Sequence, residues 1–497
     1  MKNTIIFIAL TTSRIQLVFL FFFLSSYTFS QIPTVNWENV YGGSGDEYSL
    51  KTVQLLGGDY ILLGTSNSIN GDITNNYGSS DIWISRLDQT GNIIWSKSFG
   101  GSSDDYGNDI IQLSDQNLVV IGSTYSSDGN VSYKNGEYDA WLLKIDLNGN
   151  LIWEKTFGGP TCTVQGQSII ESTNHDLVFA CDVGSSGGMV TSNNGAYPSK
   201  DIWVVKTDLS GNLIWEMNFG GSVDDKDPDI IEDVDLGYII GCISNSNDLD
   251  VQNNHGRDDF CLFKLDSSGN LLWSNSYGGS GLGWSEQFYD VSKAIDGGYI
   301  LVGRTFSNDG DVSGNHGGYD IWVVKVDPSG NLLWQKCIGG DSFDSGHRII
   351  PYNNSSYLIL GDTGSIDGDF IGLLPSNVGD VLLNIDLNGN VIWKYPFVEC
   401  CNAYYGWSLL KTLDGGILAG SVTENLNNQF INFHGSYDIR LTKFNPLSSG
   451  ISLIENDQKK LLKIYDLLGR ETIRKYNQIQ FYQYDNDTIE KVFIVQP

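Results

Sequence analysis

Basic residues are scarce in this chain. Lys and Arg total 29 against 59 Asp and Glu, a formal charge of −30. Polyanions are therefore repelled at ordinary salt, which excludes nucleic acid and anionic membrane surfaces as partners. Proline is scarce too, 10 in 497 residues against 58 Gly. With 13 Trp and 25 Tyr, that composition excludes a disordered chain and suits short strands joined by tight turns. Long apolar runs are missing beyond the first thirty residues. There Lys2 and Arg14 precede an apolar run from Ile15 to Leu24, with small residues at Thr28 and Ser30. The run is short for a bilayer span. It reads as a secretory signal peptide over residues 1–30, cleaved before Gln31, and no transmembrane segment is expected in the mature chain. The seven cysteines, an odd and scattered set, give neither a disulfide framework nor paired zinc-ligand spacing. Cys242 and Cys261 fall on adjacent predicted strands, as a bridge or as two buried thiols. Cys400-Cys401 would bridge only with strain.

What the chain has instead is a repeat. Gly-Asn, two aliphatic residues and Trp recur from Gly91 to Trp95, Gly149 to Trp153, Gly211 to Trp215, Gly269 to Trp273, Gly330 to Trp334 and Gly389 to Trp393. Successive Trp residues stand 58, 62, 58, 61 and 59 positions apart, a period that propeller blades produce. Four strands fit each unit. In the fifth, the first strand is expected from Asp290 to Ala294, the second over Tyr299 to Thr305, the third over Asp320 to Val326 and the fourth over Leu332 to Cys337. The turn Asp327-Pro328-Ser329-Gly330-Asn331 joins the last two. Strands two and three are apolar at both parities, as where neighbouring sheets cover both faces. After Trp393 a final unit has three strands and lacks the Trp strand. The mature N-terminus opens with that missing strand, Val35 to Tyr41, and Trp37 stands 58 positions before Trp95. The two fragments complete one blade, so the expected fold is all-β: a seven-bladed β-propeller of four-stranded blades over 31–446, closed by its N-terminal strand. An open solenoid would leave both edges exposed.

Strands alternate in direction, so the loops between strands two and three share one face with the connections between blades. The long loops, Asn67 to Ser80, Asp128 to Tyr138, Asn245 to Asp258, Asn308 to Tyr319 and Ile366 to Gly379, make that face rich in Asp and Asn, and it is the expected binding face. Such oxygens suit Ca2+ and equally stabilise bends; both readings stay open, and no other cofactor is indicated. His255, His316 and His434 each stand four residues before a strand-opening Asp, which reads as loop chemistry in separate blades. The acids Asp81, Asp139, Asp201, Asp320, Asp380 and Asp438 recur in nearly every blade, which reads as structure, whereas catalysis needs an asymmetric pair. Eleven of the Trp residues fall in third or fourth strands. Trp284 and Trp407 break that pattern at or just before first strands near the loop-rich face, and they are the candidate ligand-binding residues, for stacking on a sugar ring or a partner side chain. A local cap on the core is the other reading of both.

After a polar stretch at 447–457 comes Leu461-Leu462-Lys463-Ile464-Tyr465-Asp466-Leu467-Leu468-Gly469-Arg470-Glu471, and then a terminal segment with Lys491-Val492-Phe493-Ile494-Val495. Residues 458–497 resemble the C-terminal sorting domain of type IX secretion cargo in Bacteroidota, with its Tyr-Asp-hydrophobic-Leu-Gly-Arg-Glu motif and short Lys-containing last strand. A small accessory β-domain is the plain alternative. The resemblance implies export by the type IX machinery and a secreted or outer-membrane surface location. The repeats are similar to propeller-like repeat proteins that often precede such tags. The expected function is non-catalytic binding of a glycan or protein. An extracellular glycoside hydrolase or lyase on a propeller scaffold is the alternative.

Overall fold

The computed structural model describes residues 32–195, 198–281, 286–373, 379–396, 407–424, 434–446, 461–465, 470–472, 479–484 and 489–493. The signal-peptide reading, Trp284, Cys400, Cys401 and the 447–457 segment lie outside the described residues. Contacts separate Ile32–Leu447 from a second unit that holds Ser448–Pro497.

The larger unit is a seven-bladed propeller of four-stranded antiparallel sheets. First strands run over Glu47–Gln54, Asp105–Gln112, Val164–Glu171, Asp225–Glu232, Glu286–Lys293, Asp344–Asn353 and Trp407–Lys411, which number blades 1 to 7. They lie side by side around the axis, and Trp407–Lys411 touches both Asp344–Asn353 and Glu47–Gln54. The ring is thus closed. Its last sheet orders Val35–Tyr41, Asp438–Phe444, Ile417–Thr423 and Trp407–Lys411. Tyr41 faces Ile439 and Trp37 faces Lys443 in the closing ladder, so the N-terminal strand supplies the missing fourth strand of the last blade.

Second and third strands are buried at nearly every residue, because each sheet is sandwiched between two others. The core consequently lies between blades. Trp141 and Leu143 of blade 2 pack with Leu63, Ile82 and Ile84 of blade 1. Trp83, Trp141, Trp203 and Trp322 are fully buried, and each indole N–H is met from the adjacent fourth strand, as Trp141 Nε1 is by Glu154 Oε2 at 2.8 Å.

The Gly-Asn-x-x-Trp repeat has a physical cause. Six fourth-strand Trp residues, all but Trp393, lie over the turn glycine of the following blade. A Cβ at Gly330 (φ 81°) would fall 2.8 Å from the Trp273 ring, and one at Gly389 (φ 77°) 2.8 Å from Trp334. Left-handed backbone and close approach both demand glycine there. The turn itself is an Asp clamp: Asp88 Oδ1 accepts the N–H groups of Thr90 at 2.8 Å and Asn92 at 2.9 Å, and Asn92 Nδ2 donates to Asp88 Oδ2 at 3.0 Å. Asp146, Asp208, Asp266, Asp327 and Asp386 repeat it. Across the closure, Trp37 covers Gly91 and donates through Nε1 to the Gln89 carbonyl at 3.0 Å.

In the C-terminal segment, the short strands Glu471–Thr472, Leu461–Tyr465, Ile479–Tyr484 and Ile489–Phe493 form one antiparallel sheet in that order. No helix among the described residues is long and apolar enough to cross a membrane.

Candidate binding face and channel

In six blades the residue before the third strand bonds through its carbonyl to the start of the next blade's first strand, as Ser80 does with Asp105 N–H at 2.7 Å and Lys200 with Asp225 N–H at 2.7 Å. Long loops and channel entrance therefore share one face. The acids that recur on this face are structural. Asp139 accepts the N–H of Asn135 at 2.7 Å, Asp259 that of His255 at 2.8 Å and Asp438 that of His434 at 2.7 Å, each holding its own loop. The first-strand acids hold the glycine pairs between blades: Glu47 takes Gly43 N–H at 3.0 Å, Asp105 takes Gly101 at 2.7 Å and Asp225 takes Gly221 at 2.7 Å. The two sets meet across a glycine. A Cβ at Gly220 would fall 2.7 Å from both Asp201 Oδ1 and Asp225 Oδ2. Burial, with a smaller push from the facing acid Asp225, raises Asp201 to about 7; burial likewise raises Asp81 and Asp320 to about 6.

The loop histidines join this network. His316 Nδ1 lies 2.7 Å from Asp320, and its Nε2 lies 4.0 Å from Asp369 of the next blade; His255 repeats the pattern with Asp259 at 3.0 Å and Asp311 at 3.6 Å. They are loop bridges between blades. Among the described residues, no three His, Cys, Asp or Glu side chains gather to hold a metal ion. Cys242 and Cys261 face each other across adjacent strands and are both free, buried thiols.

A second belt lines the channel. The fifth residue of a first strand reaches the next blade's backbone: Asp109 accepts Ile169 N–H at 3.1 Å, Asp229 accepts Val291 N–H at 3.3 Å and Asp290 accepts Ile349 N–H at 2.6 Å; in the shorter first strand of blade 7 the second residue does so, Ser408 Oγ accepting Thr52 N–H at 3.0 Å. Where the chain has Lys51 or Arg348 instead, the link changes sign. Lys51 pairs with Asp109 at 3.1 Å, and Arg348 Nε donates to the Trp407 carbonyl at 3.1 Å. Inside this belt is a cavity of ≈ 260 Å³, lined among others by Asn108, Gln167, Asp227, Phe288 and Tyr289.

At the channel mouth the repeat breaks down. The next-to-last residue of the second strand is Thr65, Ser123, Asp182, Ile243, Arg304, Asp362 and Val422 in blades 1 to 7. Two aromatic groups stand beside it. Tyr125, 37% exposed, stacks on Tyr138 at 4.7 Å and meets Tyr106 edge-on at 6.3 Å. Phe306 and Phe343, 49% and 39% exposed, flank Tyr319 at 5.3 and 5.5 Å. The Arg304 guanidinium lies over Tyr319 and Phe343 at 4.7 and 4.8 Å and donates to Gln287 Oε1 at 2.6 Å. Sequence reasoning missed both groups, because each tyrosine or phenylalanine alone looks like any other loop residue. Their signal is positional: Tyr125 and Phe306 follow the second strand, and Tyr138 and Tyr319 precede the third.

Trp407 opens the first strand of blade 7, half-buried. Its ring stacks on His347 with centroids 3.3 Å apart, and His347 Nε2 meets Asp362 Oδ1 at 2.5 Å. Burial, reinforced by the Arg348 and Arg304 charges, holds His347 well below its ordinary range, and burial raises Asp362 to about 7. The pair is one imidazole and one carboxyl inside the wall, with Trp407 as its lid. Trp284 lies outside the described residues.

No protein-family model matches the chain, and no curated protein matches it. Among solved structures, the chain is similar to a protein of unknown function from Dyadobacter fermentans (11% identity, 83% of this chain and 99% of that one, TM-score 0.41). It is also similar to one of unknown function from Bacteroides caccae (12%, 63% and 89%, TM-score 0.36). A puromycin hydrolase (10% identity, 89% of this chain and 58% of that one, TM-score 0.44) is similar as well.

Proposed function

We propose that this is an exported binding propeller that recognises a glycan through its loop-rich face, carried out by type IX secretion on its C-terminal tail and released or held at the outer-membrane surface. One observation carries the reading. The side chains that differ from blade to blade gather at the channel mouth, where two exposed aromatic groups stand on a rigid ring, while the acids that recur are engaged in holding that ring together. Rings fixed by stacking offer flat apolar platforms at little entropic cost, which suits the apolar faces of sugar rings. Binding of a polysaccharide panel to the full chain, with and without chelator and with product release followed in parallel, tests it. Wild type should bind at least one neutral polysaccharide, and Tyr125→Ala with Phe306→Ala should lose that binding. A panel that is not bound, or binding unchanged in the double variant, refutes the reading. Binding of a protein alone would point to the other class of partner.

A glycan-cleaving enzyme is the second reading, and the buried His347–Asp362 pair beside Trp407 favours it. Product release lost in His347→Gln would establish it.

A further inference from the structure

The third residue of the first strand is Gly107, Gly166 and Gly346 in three blades, and a Cβ there would strike the preceding blade. It would fall 2.9 Å from Leu63 Cδ1, 2.6 Å from Ile121 Cγ1 and 2.5 Å from Val302 Cγ2 respectively. Blade 5 carries Phe288, accommodated because the residue it meets is Gly241. Blade 4 carries Asp227, which has φ 56° in a strand whose pairing shifts between Lys226 and Asp229. Left-handed backbone is strained for an L-residue other than glycine, and such strain persists where the surroundings enforce it. The inverted residue puts its side chain on the wall of the central cavity, open to the solvent there.

Asp227 is also the carboxylate of that wall without a hydrogen-bond or ion-pair partner among the described residues; burial within the channel and the neighbouring Asp182 raise it to about 6, while the Lys200 and Lys226 charges favour its ionised form. Lys51 holds Asp109 at 3.1 Å, Ser168 Oγ holds Asp229 at 2.8 Å, and Ile349 N–H holds Asp290. Arg348 is anchored on the carbonyls of Trp407, Tyr289 and His347 at 3.1, 3.2 and 3.1 Å. The Asp227 carboxylate accepts no hydrogen bond from the described residues; its backbone N–H donates to Asp182 Oδ1 at 2.8 Å. Beside it the wall presents Asn108, whose amide nitrogen donates one hydrogen to the Gly166 carbonyl at 2.6 Å, Gln167, whose amide nitrogen donates one to Asp182 Oδ2 at 3.2 Å, and Tyr289, packed on His347 at 4.8 Å. Each amide keeps a second N–H and its oxygen for a ligand. A cavity of ≈ 260 Å³ suits one sugar residue, below the range of larger ligand sites.

We propose that the cavity takes an amino-sugar residue, with its ammonium on the Asp227 carboxylate, its hydroxyls on the Asn108 and Gln167 amides and its ring against Tyr289. This rests on the reading of the propeller as a saccharide binder and names the sugar class. Calorimetry of the full chain with glucosamine, glucose and N-acetylglucosamine at pH 7 tests it, using wild type, Asp227→Asn and Asp227→Gly. Glucosamine should bind about tenfold or more tighter than either neutral sugar, as a charge-assisted contact implies, and both variants should lose the preference. Asp227→Gly should unfold in urea no earlier than wild type, since glycine suits this backbone, so its loss of preference cannot be put down to misfolding. Equal binding of the three sugars, or a preference surviving both variants, overturns the proposal. So does polysaccharide binding at Tyr125 and Phe306 with no monosaccharide bound, which leaves the wider reading standing. Failure of every saccharide overturns both.

Discussion

Closure by the N-terminal strand can be tested at one side chain with a control elsewhere in the ring. Tyr41 in Val35–Tyr41 is 3% exposed, packs with Leu50, Tyr60, Trp83 and Ile439, and donates its hydroxyl to the Gly91 carbonyl at 2.6 Å. Tyr277 occupies the same place inside the ring, in blade 4, and donates to the Gly330 carbonyl at 2.6 Å. Truncating a buried aromatic removes its transfer free energy and leaves a cavity, about 3–5 kcal/mol together, of which the lost hydrogen bond is about 1 kcal/mol. Tyr41→Ala and Tyr277→Ala should therefore destabilise the propeller to a similar degree, measured by urea unfolding followed through Trp fluorescence. Tyr41→Phe and Tyr277→Phe should each lose about 1 kcal/mol. If Tyr41→Ala lies within about 0.5 kcal/mol of wild type while Tyr277→Ala loses several, the N-terminal strand is an accessory tail and the closure argument fails.

Two further predictions concern the carboxyl pairs between blades. Gly220→Ala puts a Cβ 2.7 Å from Asp201 and from Asp225 at φ 151° and should lose about 2–3 kcal/mol, whereas Gly57→Ala, with open space around it, should stay within about 0.5 kcal/mol; equal effects would show that the pairs do not pack as described. Stability should also fall as pH rises from 6.5 to 8. Asp201, Asp259 and Asp380 are raised to about 7 and Asp81, Asp320 and Asp438 to about 6, burial being the first cause throughout. Unfolded Asp titrates near ~3.9. The native state thus holds more protons across this window, and stability declines as they leave. His316, raised by Asp320, adds a term of the same sign, lost as pH climbs through its folded value. His347, held well below its ordinary range by burial, works the other way between pH 5 and 6.5, so the decisive interval is pH 6.5 to 8: the urea midpoint should fall across it, and a midpoint that rises there would mean these carboxyls are ionised in the native state.

The blade count and the closure were legible because the residues that make them are a local motif. Gly330 and Trp334 sit within five residues, and the contact each makes with a neighbouring blade is repeated, so a tertiary requirement shows as a linear period. First strands were less legible. In blade 5 the expected start at Asp290 falls four residues after the true start at Glu286, and the strand ends at Lys293 rather than Ala294. The reason is a bulge: register shifts between Phe288 and Asp290, as it does between Gly107 and Asp109, Gly166 and Ser168, and Gly346 and Arg348. One extra residue per strand moves every following side chain to the other face, so the alternation that marks a strand is cut in half. Trp407 stood out in the sequence as an exception to the Trp pattern. Its partners did not, since His347 and Asp362 reach it from a different blade.

Seven near-identical units supply seven near-identical sites, but a sugar or a peptide has no sevenfold axis. Recognition must therefore use positions where the units differ, and those positions divide by physics into two kinds. At the mouth, Tyr125 with Tyr138 and Phe306 with Tyr319 offer ring faces, while the neighbouring acids Asp139 and Asp320 are turned inward on backbone N–H groups. Binding there is a matter of stacking and should change little between 0.05 and 0.5 M salt. In the cavity, Asp227 is a solvent-accessible carboxylate without a bonded partner among the described residues, in a protein of formal charge −30. Attraction of an amine to it includes the field of the whole molecule and weakens as the Debye length shrinks from about 14 to 4 Å over the same range. Salt dependence therefore separates the two surfaces: polysaccharide affinity that collapses with salt would place recognition on charge rather than on the aromatic rings, and an amine preference indifferent to salt would remove Asp227 from the site.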